Sequence, residues 1–236
     1  MKSGLAERAK LLARDIRDAT DYVRTPAFVR IEHRGPHLWI VHVPFYTDID
    51  DRDFVQSVKD TIENIWRIRD GDDEFGVELE ISLIPINELY GDRRAPLKGD
   101  KIDATQHLAL FPADGAVLTT GALTTHVYGR AIILGPHDIT PPVLAHEFGH
   151  ILGLKDSYFR GYRDLGEDGF QVMEVVADLD DIMGVPGTGL VLRRHFERIS
   201  ERYRISNRDN PGSYDKNATT LIRGGNVIAG VSRVRK

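Results

Sequence analysis

The chain has 236 residues, of which 41% are hydrophobic and 28% are charged, and its formal net charge is −5. This length is enough to bury one substantial core, and the mixture of charges is typical of a water-soluble globular protein. The net negative charge gives no overall cationic field, which argues against nucleic acid and anionic membranes as partners. We expect one compact domain with a short tail.

The chain contains no cysteine, which excludes disulfides, thiolate metal sites and cysteine nucleophiles. Residues 1–24 are charged throughout and lack the apolar core of a secretory signal, and no stretch approaches the roughly 18 apolar residues of a membrane span. As written, the chain is expected to be cytoplasmic. A mature or excised part of a secreted polypeptide would have the same features.

Apolar residues within positions 1–24 recur at steps of three and four, which predicts an amphipathic helix that ends before Pro26. We expect this helix to pack on the core, with an inhibitory segment or a partner-binding helix as alternatives. Residues 38–45 and 77–86 have strand patterns, and Asp51 or its neighbour can cap a helix between them. Strand, helix and strand in this order predict a crossover that begins a mixed sheet.

The middle of the chain predicts two more short strands, at residues 116–120 and 130–134. Thr140 and the two prolines after it predict a helix start, in which the threonine hydroxyl caps free backbone N–H groups. This helix is expected to run to about Leu152.

The last third of the chain is less regular. Residues 157–181 show little period, and a final helix is predicted around residues 192–203. The tail is predicted to form a hairpin around Gly224 and Gly225, with strands at residues 219–222 and 226–231. We therefore expect a main domain over residues 1–205 and a short tail over residues 206–236.

The run HEFGH at residues 146–150 carries the strongest chemical signal. His146 and His150 are four residues apart on a predicted helix, so both imidazoles project from one face and can reach a single tetrahedral ion. Glu147 lies beside them, where its carboxylate can take a proton from a metal-bound water. The same residues can share a helix face for ordinary packing or salt-bridge reasons, so both interpretations stay open for the run alone.

Gly153 and Asp156 strengthen the metal interpretation. Gly153 can adopt the positive φ that ends a helix and turns the chain back. Asp156 then falls where a third ligand can meet the ion, although a solvated turn carboxylate is the alternative. Two histidines and one carboxylate leave the fourth position open for water, as a catalytic zinc site requires.

The whole run HEFGHILGLKD, residues 146–156, resembles the extended signature of the metzincin metallopeptidases. Its final Asp is similar to the snapalysin group of small bacterial neutral proteases. A second run, DIMG at residues 181–184, looks like the metzincin Met-turn. The resemblance implies an α+β fold with a twisted mixed β-sheet, a long helix after the first strand, an active-site helix, a Met-turn and a C-terminal helix.

The resemblance also implies roles for individual residues. The implied ligands of a single Zn²⁺ ion are His146, His150 and Asp156. Glu147 would be the general base, and Met183 and Gly153 would support the site. The chain would then be a zinc-dependent endopeptidase that acts on peptide or protein substrates. Residues 116–120 would be the edge strand that binds an extended substrate, and residues 184–189 would line the pocket for the residue after the cut.

Several alternatives stay open. Glu174 with Asp178 resembles the third-ligand helix of gluzincins such as thermolysin, in which Glu174 would bind zinc. The chain could also be a peptidase-like toxin or binding module of a larger polypeptide. The acidic stretch 178–181 could hold a structural calcium, although such loops are usually only solvated. Among the other histidines, His195 is expected at the surface or around the ligands, and His107 is given no role.

Overall fold

The computed structural model describes residues 2–21, 23–164, 170–207 and 228–234. The helices in these ranges are α1 (Lys2–Thr20), α2 (Arg52–Ile65), α3 (Ile86–Tyr90), α4 (Ala104–Leu108), α5 (Pro141–Ile151) and α6 (Arg193–Asn207). The strands are β1 (Arg30–His33), β2 (Leu38–Thr47), β3 (Ile68–Asp70), β4 (Asp73–Leu83), β5 (Ala116–Thr120), β6 (His126–Tyr128), β7 (Ala131–Leu134), β8 (Tyr158–Asp164), β9 (Phe170–Val176) and β10 (Ile228–Val234). No helix in the described ranges has the length and apolar character needed to span a bilayer. The predicted α+β class is confirmed.

A mixed seven-stranded sheet forms the centre, in the order β3-β4-β2-β5-β7-β6, with β1 paired to β2. The neighbours β2 and β4, β2 and β5, and β5 and β7 are parallel. The chain passes from β2 through α2 to β4, which is the predicted crossover. The side chain of Asp51 caps α2 by accepting a hydrogen bond from the N–H of Phe54 at 3.0 Å.

The prediction that residues 116–120 form the edge strand is wrong. They form β5, which lies between β2 and β7 and is buried at all five positions. The edge on that side of the sheet is β6, which pairs antiparallel with β7. The chain turns between β6 and β7 at Gly129, where φ is +59°. A strand of three residues is too short to show a period, so the sequence did not reveal it.

The central strands separate two apolar cores because successive side chains point to opposite faces of a sheet. Leu118 and Ile132 belong to the larger core, together with residues of α2 and α5 and the side chain of Trp66. Val117 and Ile133 belong to the second core, on the side of α3 and α4. The helix α5 therefore lies on one face of the sheet, and α3 and α4 lie on the other.

Strands β8, β9 and β10 form a separate antiparallel sheet, in the order β10-β9-β8. The predicted N-terminal helix is confirmed as α1, and its residues Ala13 and Ile16 pack with Val175 and Ala177 at the end of β9. Strands β8 and β9 were not predicted. In the sequence of β8, apolar and polar residues do not alternate, so no strand period is visible. The predicted hairpin turn and the strand at residues 219–222 lie outside the described residues. The later tail strand is β10, and its partner is β9.

Candidate metal centre

The helix α5 carries the HEFGH run. It begins after Thr140 with prolines at its first two positions, where a fixed φ favours helix formation. The predicted cap is wrong, since the Thr140 side chain makes no capping hydrogen bond. Two consecutive prolines remove N–H groups that a cap would otherwise bind. Leu144, Phe148 and Ile151 are buried in the larger core, which sets the rotation of α5 about its axis.

The ligand atoms proposed from sequence converge on one point. His146 Nε2 lies 3.2 Å from His150 Nε2 and 3.3 Å from Asp156 Oδ1. His150 Nε2 lies 3.4 Å from Asp156 Oδ1. Atoms that each bind a tetrahedral zinc ion at about 2.0–2.1 Å are about 3.3–3.4 Å apart. The three atoms therefore have the separations expected around one such ion.

The hydrogen bonds of the two histidines determine which ring nitrogen carries the proton. His146 Nδ1 lies 2.9 Å from the carbonyl oxygen of Ile182, and His150 Nδ1 lies 2.9 Å from that of Leu154. A carbonyl oxygen only accepts, so each neutral ring is protonated at Nδ1 and has a lone pair at Nε2. Asp156 Oδ1 is buried and has no hydrogen-bond partner among the described residues. With both rings neutral, three acceptors thus meet without a proton between them, and a cation or an added proton would stabilise this arrangement.

Gly153 sets the direction of the chain between α5 and Asp156. Its φ is +91°, so the predicted positive φ is confirmed, and its N–H donates to the carbonyl of His150 at 2.9 Å. A Cβ added at Gly153 would overlap the carbonyl oxygen of Arg24. The segment that follows α1 therefore packs against this turn, and any residue other than glycine would be strained at position 153.

Met183 lies against α5, and only 2% of its surface is exposed. A Cβ added at Gly149, between the two histidines, would overlap the Met183 sulfur. The Met183 carbonyl accepts a hydrogen bond at 2.9 Å from the N–H of Ser157, the residue after Asp156. Gly149 is therefore limited in size by Met183, a constraint that the sequence analysis did not identify.

Asp181 connects the turn around Met183 to α6. Its Oδ1 accepts from the N–H of Met183 at 2.8 Å and from His195 Nε2 at 2.9 Å, and Arg194 donates to its Oδ2 at 3.0 Å. Burial acts to raise the pKa of Asp181, but the hydrogen bonds from His195 and from the N–H of Met183, together with the charge of Arg194, outweigh it, and the pKa lies well below its usual range. His195 is completely buried, so of the two positions expected for it, at the surface or around the ligands, the surface position is wrong.

The remaining acidic candidates have other partners. Glu174 lies on β9 and not on a helix, and its carboxylate lies 2.7 Å from Arg160 Nη2. Asp178 Oδ2 lies 2.7 Å from Arg194 Nη2. Within the described part of the chain, the one group of three or more potential ligands consists of His146, His150 and Asp156. The helix that a Glu174 ligand would require is therefore not observed, and the acidic stretch forms no such group.

The surroundings of Glu147 change the pKa of its carboxyl group. Burial raises the pKa of Glu147, although His150 and His146 oppose this rise and a hydrogen bond with the backbone of Val127 in β6 lowers it. Burial also acts to lower the pKa of His150, but the neighbouring Asp156 outweighs it and the pKa is raised. A carboxylate whose pKa is raised toward neutrality is better able to both accept and return a proton.

Tyr158 is a candidate that the sequence analysis missed. It begins β8 two residues after Asp156, and its hydroxyl lies near the Asp156 carboxylate. Burial and the negative charge of Asp156 raise the pKa of Tyr158, which keeps the phenol protonated as a donor. The signal available in the sequence was the position of Tyr158 two residues after Asp156, the last residue of the HEFGHILGLKD motif.

The geometry thus joins one helix, one turn and one buried methionine around three convergent acceptors. The chain matches none of the protein-family models, curated proteins or solved structures with which it was compared.

Proposed function

We propose that the chain is a zinc-dependent endopeptidase of the metzincin type, with its ion held by His146, His150 and Asp156. The observation that carries this proposal is the convergence of His146 Nε2, His150 Nε2 and Asp156 Oδ1, beside Glu147, at the separations of ligands around one tetrahedral ion. A structural zinc site has four protein ligands, whereas a catalytic site has three and an open position. The side chains of His150 and Asp156 are 22% and 40% exposed, so a substrate can approach from solvent.

A zinc ion bound there would lower the pKa of a water molecule and polarise the scissile carbonyl. Glu147 would take the proton of that water and return it to the departing amine nitrogen. The Tyr158 hydroxyl lies beside Asp156 and could donate a hydrogen bond to the carbonyl oxygen as negative charge develops on it. The peptide bond would be cleaved without a covalent intermediate on the protein.

The open edge of β6 supports an extended peptide as the substrate. Among the described strands, β6 pairs with β7 alone, which leaves backbone groups on its other side free to pair with a further strand. Side chains of a peptide added there would alternate between the protein and solvent. Because β6 lies against α5, a peptide on this edge would pass close to the helix that carries Glu147.

The proposal is tested by metal analysis together with cleavage of casein and of a peptide library. Chelation should abolish cleavage and zinc should restore it. Glu147→Gln keeps the size of the side chain but cannot accept the proton, so it should retain zinc and lower kcat by about 10²–10⁴-fold. Glu88→Gln changes an exposed glutamate on α3 and serves as the matched control.

A zinc-loaded chain that shows no Glu147-dependent cleavage of any peptide would overturn the proposal. That result would instead favour a binding module that keeps the metal site for another purpose.

A further inference from the structure

One peptide group lies between the proposed ligand His146 and the buried carboxylate of Asp181. Its carbonyl, that of Ile182, accepts from His146 Nδ1 at 2.9 Å. Its N–H, that of Met183, donates to Asp181 Oδ1 at 2.8 Å. The same carboxylate oxygen accepts from His195 Nε2 at 2.9 Å. A continuous chain of hydrogen bonds therefore runs from α6 to the metal centre.

We propose that Asp181 is a positioning residue that strengthens His146 as a metal ligand through the Ile182–Met183 peptide group. The inference rests on the proposed zinc site. Ligand histidines commonly donate their second ring N–H to a carboxylate, which orients the ring and raises its basicity. In this chain the Asp181 carboxylate does not contact the His146 imidazole directly, because the Ile182–Met183 peptide group lies between them.

The physical basis is mutual polarisation along a chain of hydrogen bonds. A carboxylate on the N–H side of a peptide group increases the negative charge on its carbonyl oxygen. The oxygen of Ile182 then attracts the Nδ1 proton of His146 more strongly, and electron density at Nε2 rises. The imidazole becomes a better donor to the metal, and its ring is held in one orientation.

Asp181 is placed so that it stays charged. The residue is 2% exposed. Arg194 on α6 compensates the negative charge, and His195 on the same helix donates a hydrogen bond to the carboxylate. His195 Nδ1 accepts from the N–H of Leu192 at 3.0 Å, so the proton of the neutral ring is on Nε2 and points at Asp181. The carboxylate thus accepts at Oδ1 from both His195 and the peptide group.

The second histidine ligand has no equivalent support. His150 Nδ1 lies against the carbonyl of Leu154, and the next N–H along the chain is that of Lys155. Among the described residues, no carboxylate accepts from that N–H. The two ligands therefore have the same tautomer and the same 2.9 Å hydrogen bond but a different second partner.

Asp181→Asn tests the proposal because it keeps the shape and one acceptor but removes the charge. We expect the zinc dissociation constant, measured by competition with a chromophoric chelator, to rise about 10–100-fold. The visible absorption bands of the Co²⁺-loaded chain should also shift, because the ligand field of His146 changes. A role limited to folding would not move these bands.

Asp48→Asn is the matched control. Asp48 is also a buried carboxylate, 4% exposed, but it lies in the layer of α3 and α4. We expect Asp48→Asn to leave both the zinc affinity and the Co²⁺ bands unchanged. A folded Asp181→Asn chain with the zinc affinity and bands of the parent overturns the proposal, as does an equal loss of affinity in Asp48→Asn.

If Asp181→Asn does not fold, the zinc-loaded parent provides a second measurement. The Nδ1–H proton of His146 should resonate downfield of that of His150, because its hydrogen bond is stronger, and equal resonances overturn the proposal. Neither readout requires peptide cleavage. A parent that binds zinc but cleaves nothing overturns the proposed function and leaves this inference intact, whereas a parent that binds no zinc overturns both.

Discussion

Two clusters of polar side chains lie on opposite faces of the central sheet, and they differ in how donors and acceptors are matched. The first is the metal cluster of His146, His150 and Asp156. The second, which we call the Asp48 cluster, joins four buried side chains from β5, α3, α4 and the end of β2. Its members are Asp48, Tyr90, His107 and Thr119.

Donors and acceptors alternate in the Asp48 cluster. Tyr90 Oη and Thr119 Oγ1 both donate to Asp48 Oδ2, the latter at 3.1 Å. His107 Nε2 lies 2.9 Å from Thr119 Oγ1 and supplies its proton there. Burial lowers the pKa of His107, against the effect of Asp48, so the ring stays neutral. One acceptor, Asp48 Oδ1, has no partner among the described residues.

The metal cluster has the opposite character, since three acceptors face one another and the protons of both rings point away. Its side chains are also less buried, because those of His150 and Asp156 are 22% and 40% exposed. Under the proposed function, the burial of polar groups is therefore a poor guide to the site. Acceptors that converge without donors are the better guide, because only a cation or added protons can stabilise them.

The largest expected effect is the loss of a ligand from the metal cluster. Asp156→Ala should weaken zinc binding by more than about 100-fold, since even the outer partners of ligands contribute 10–100-fold. Zinc titration monitored by chelator competition provides the measurement. Glu174→Ala removes a carboxylate that is paired with Arg160 and should bind zinc like the parent. Loss of zinc binding in Glu174→Ala but not in Asp156→Ala would identify Glu174 as the third ligand.

The Asp48 cluster should affect stability and not metal binding. Thr119→Val conserves shape but removes the hydroxyl that lies 2.9 Å from His107 Nε2 and one of the two donors to Asp48 Oδ2. Since a buried polar group then lacks its partner, we expect a loss of about 1–3 kcal/mol in the free energy of unfolding. Urea denaturation with and without zinc measures it. Thr188→Val, at an exposed position, is the control. A zinc-dependent loss in Thr119→Val would contradict the separation of the two clusters.

Gly149→Ala tests how closely the metal cluster is packed on Met183. The added methyl group would overlap the Met183 sulfur, and such overpacking costs about 1–3 kcal/mol. Thermal unfolding and zinc affinity should both decline in this variant. Gly187→Ala adds a methyl group where nothing lies within 4 Å and should unfold like the parent. An unchanged Gly149→Ala chain would show that Met183 does not pack there.

The smallest expected effect is a pH dependence that comes from Asp181. Its pKa is depressed in the folded chain, so its contribution to stability is present above the unfolded pKa of about 3.9 and is lost as the pH falls through the folded pKa. Urea denaturation of the metal-free chain between about pH 5 and pH 3 should therefore show a shallower decline for Asp181→Asn than for the parent. Parallel curves would indicate that Asp181 is not held in its charged form.

Much of the fold could be predicted because its signals are local. The helix α2 followed from an apolar stripe and the Asp51 cap, and β2 and β4 followed from long apolar runs on either side of it. The strands β6 and β8 were missed because the first is too short for a period and the second mixes charged and aromatic residues on both faces. Whether β5 was central or at the edge depended on pairing with distant strands, which no local pattern contains.

The same division applies to the metal cluster. By itself, the sequence determined that His146 and His150 share a helix face and that Gly153 can turn the chain toward Asp156, because helical spacing and the φ freedom of glycine act within a few residues. Only the tertiary structure decided that both imidazoles are protonated at Nδ1 and that Met183 leaves no room for a side chain at position 149. It also decided that Asp181 and His195 connect to His146 through hydrogen bonds. The Leu154 carbonyl beside His150 is four residues away along the chain. The other features depend on groups that lie more than thirty residues from His146 and Gly149, and folding alone brings them together.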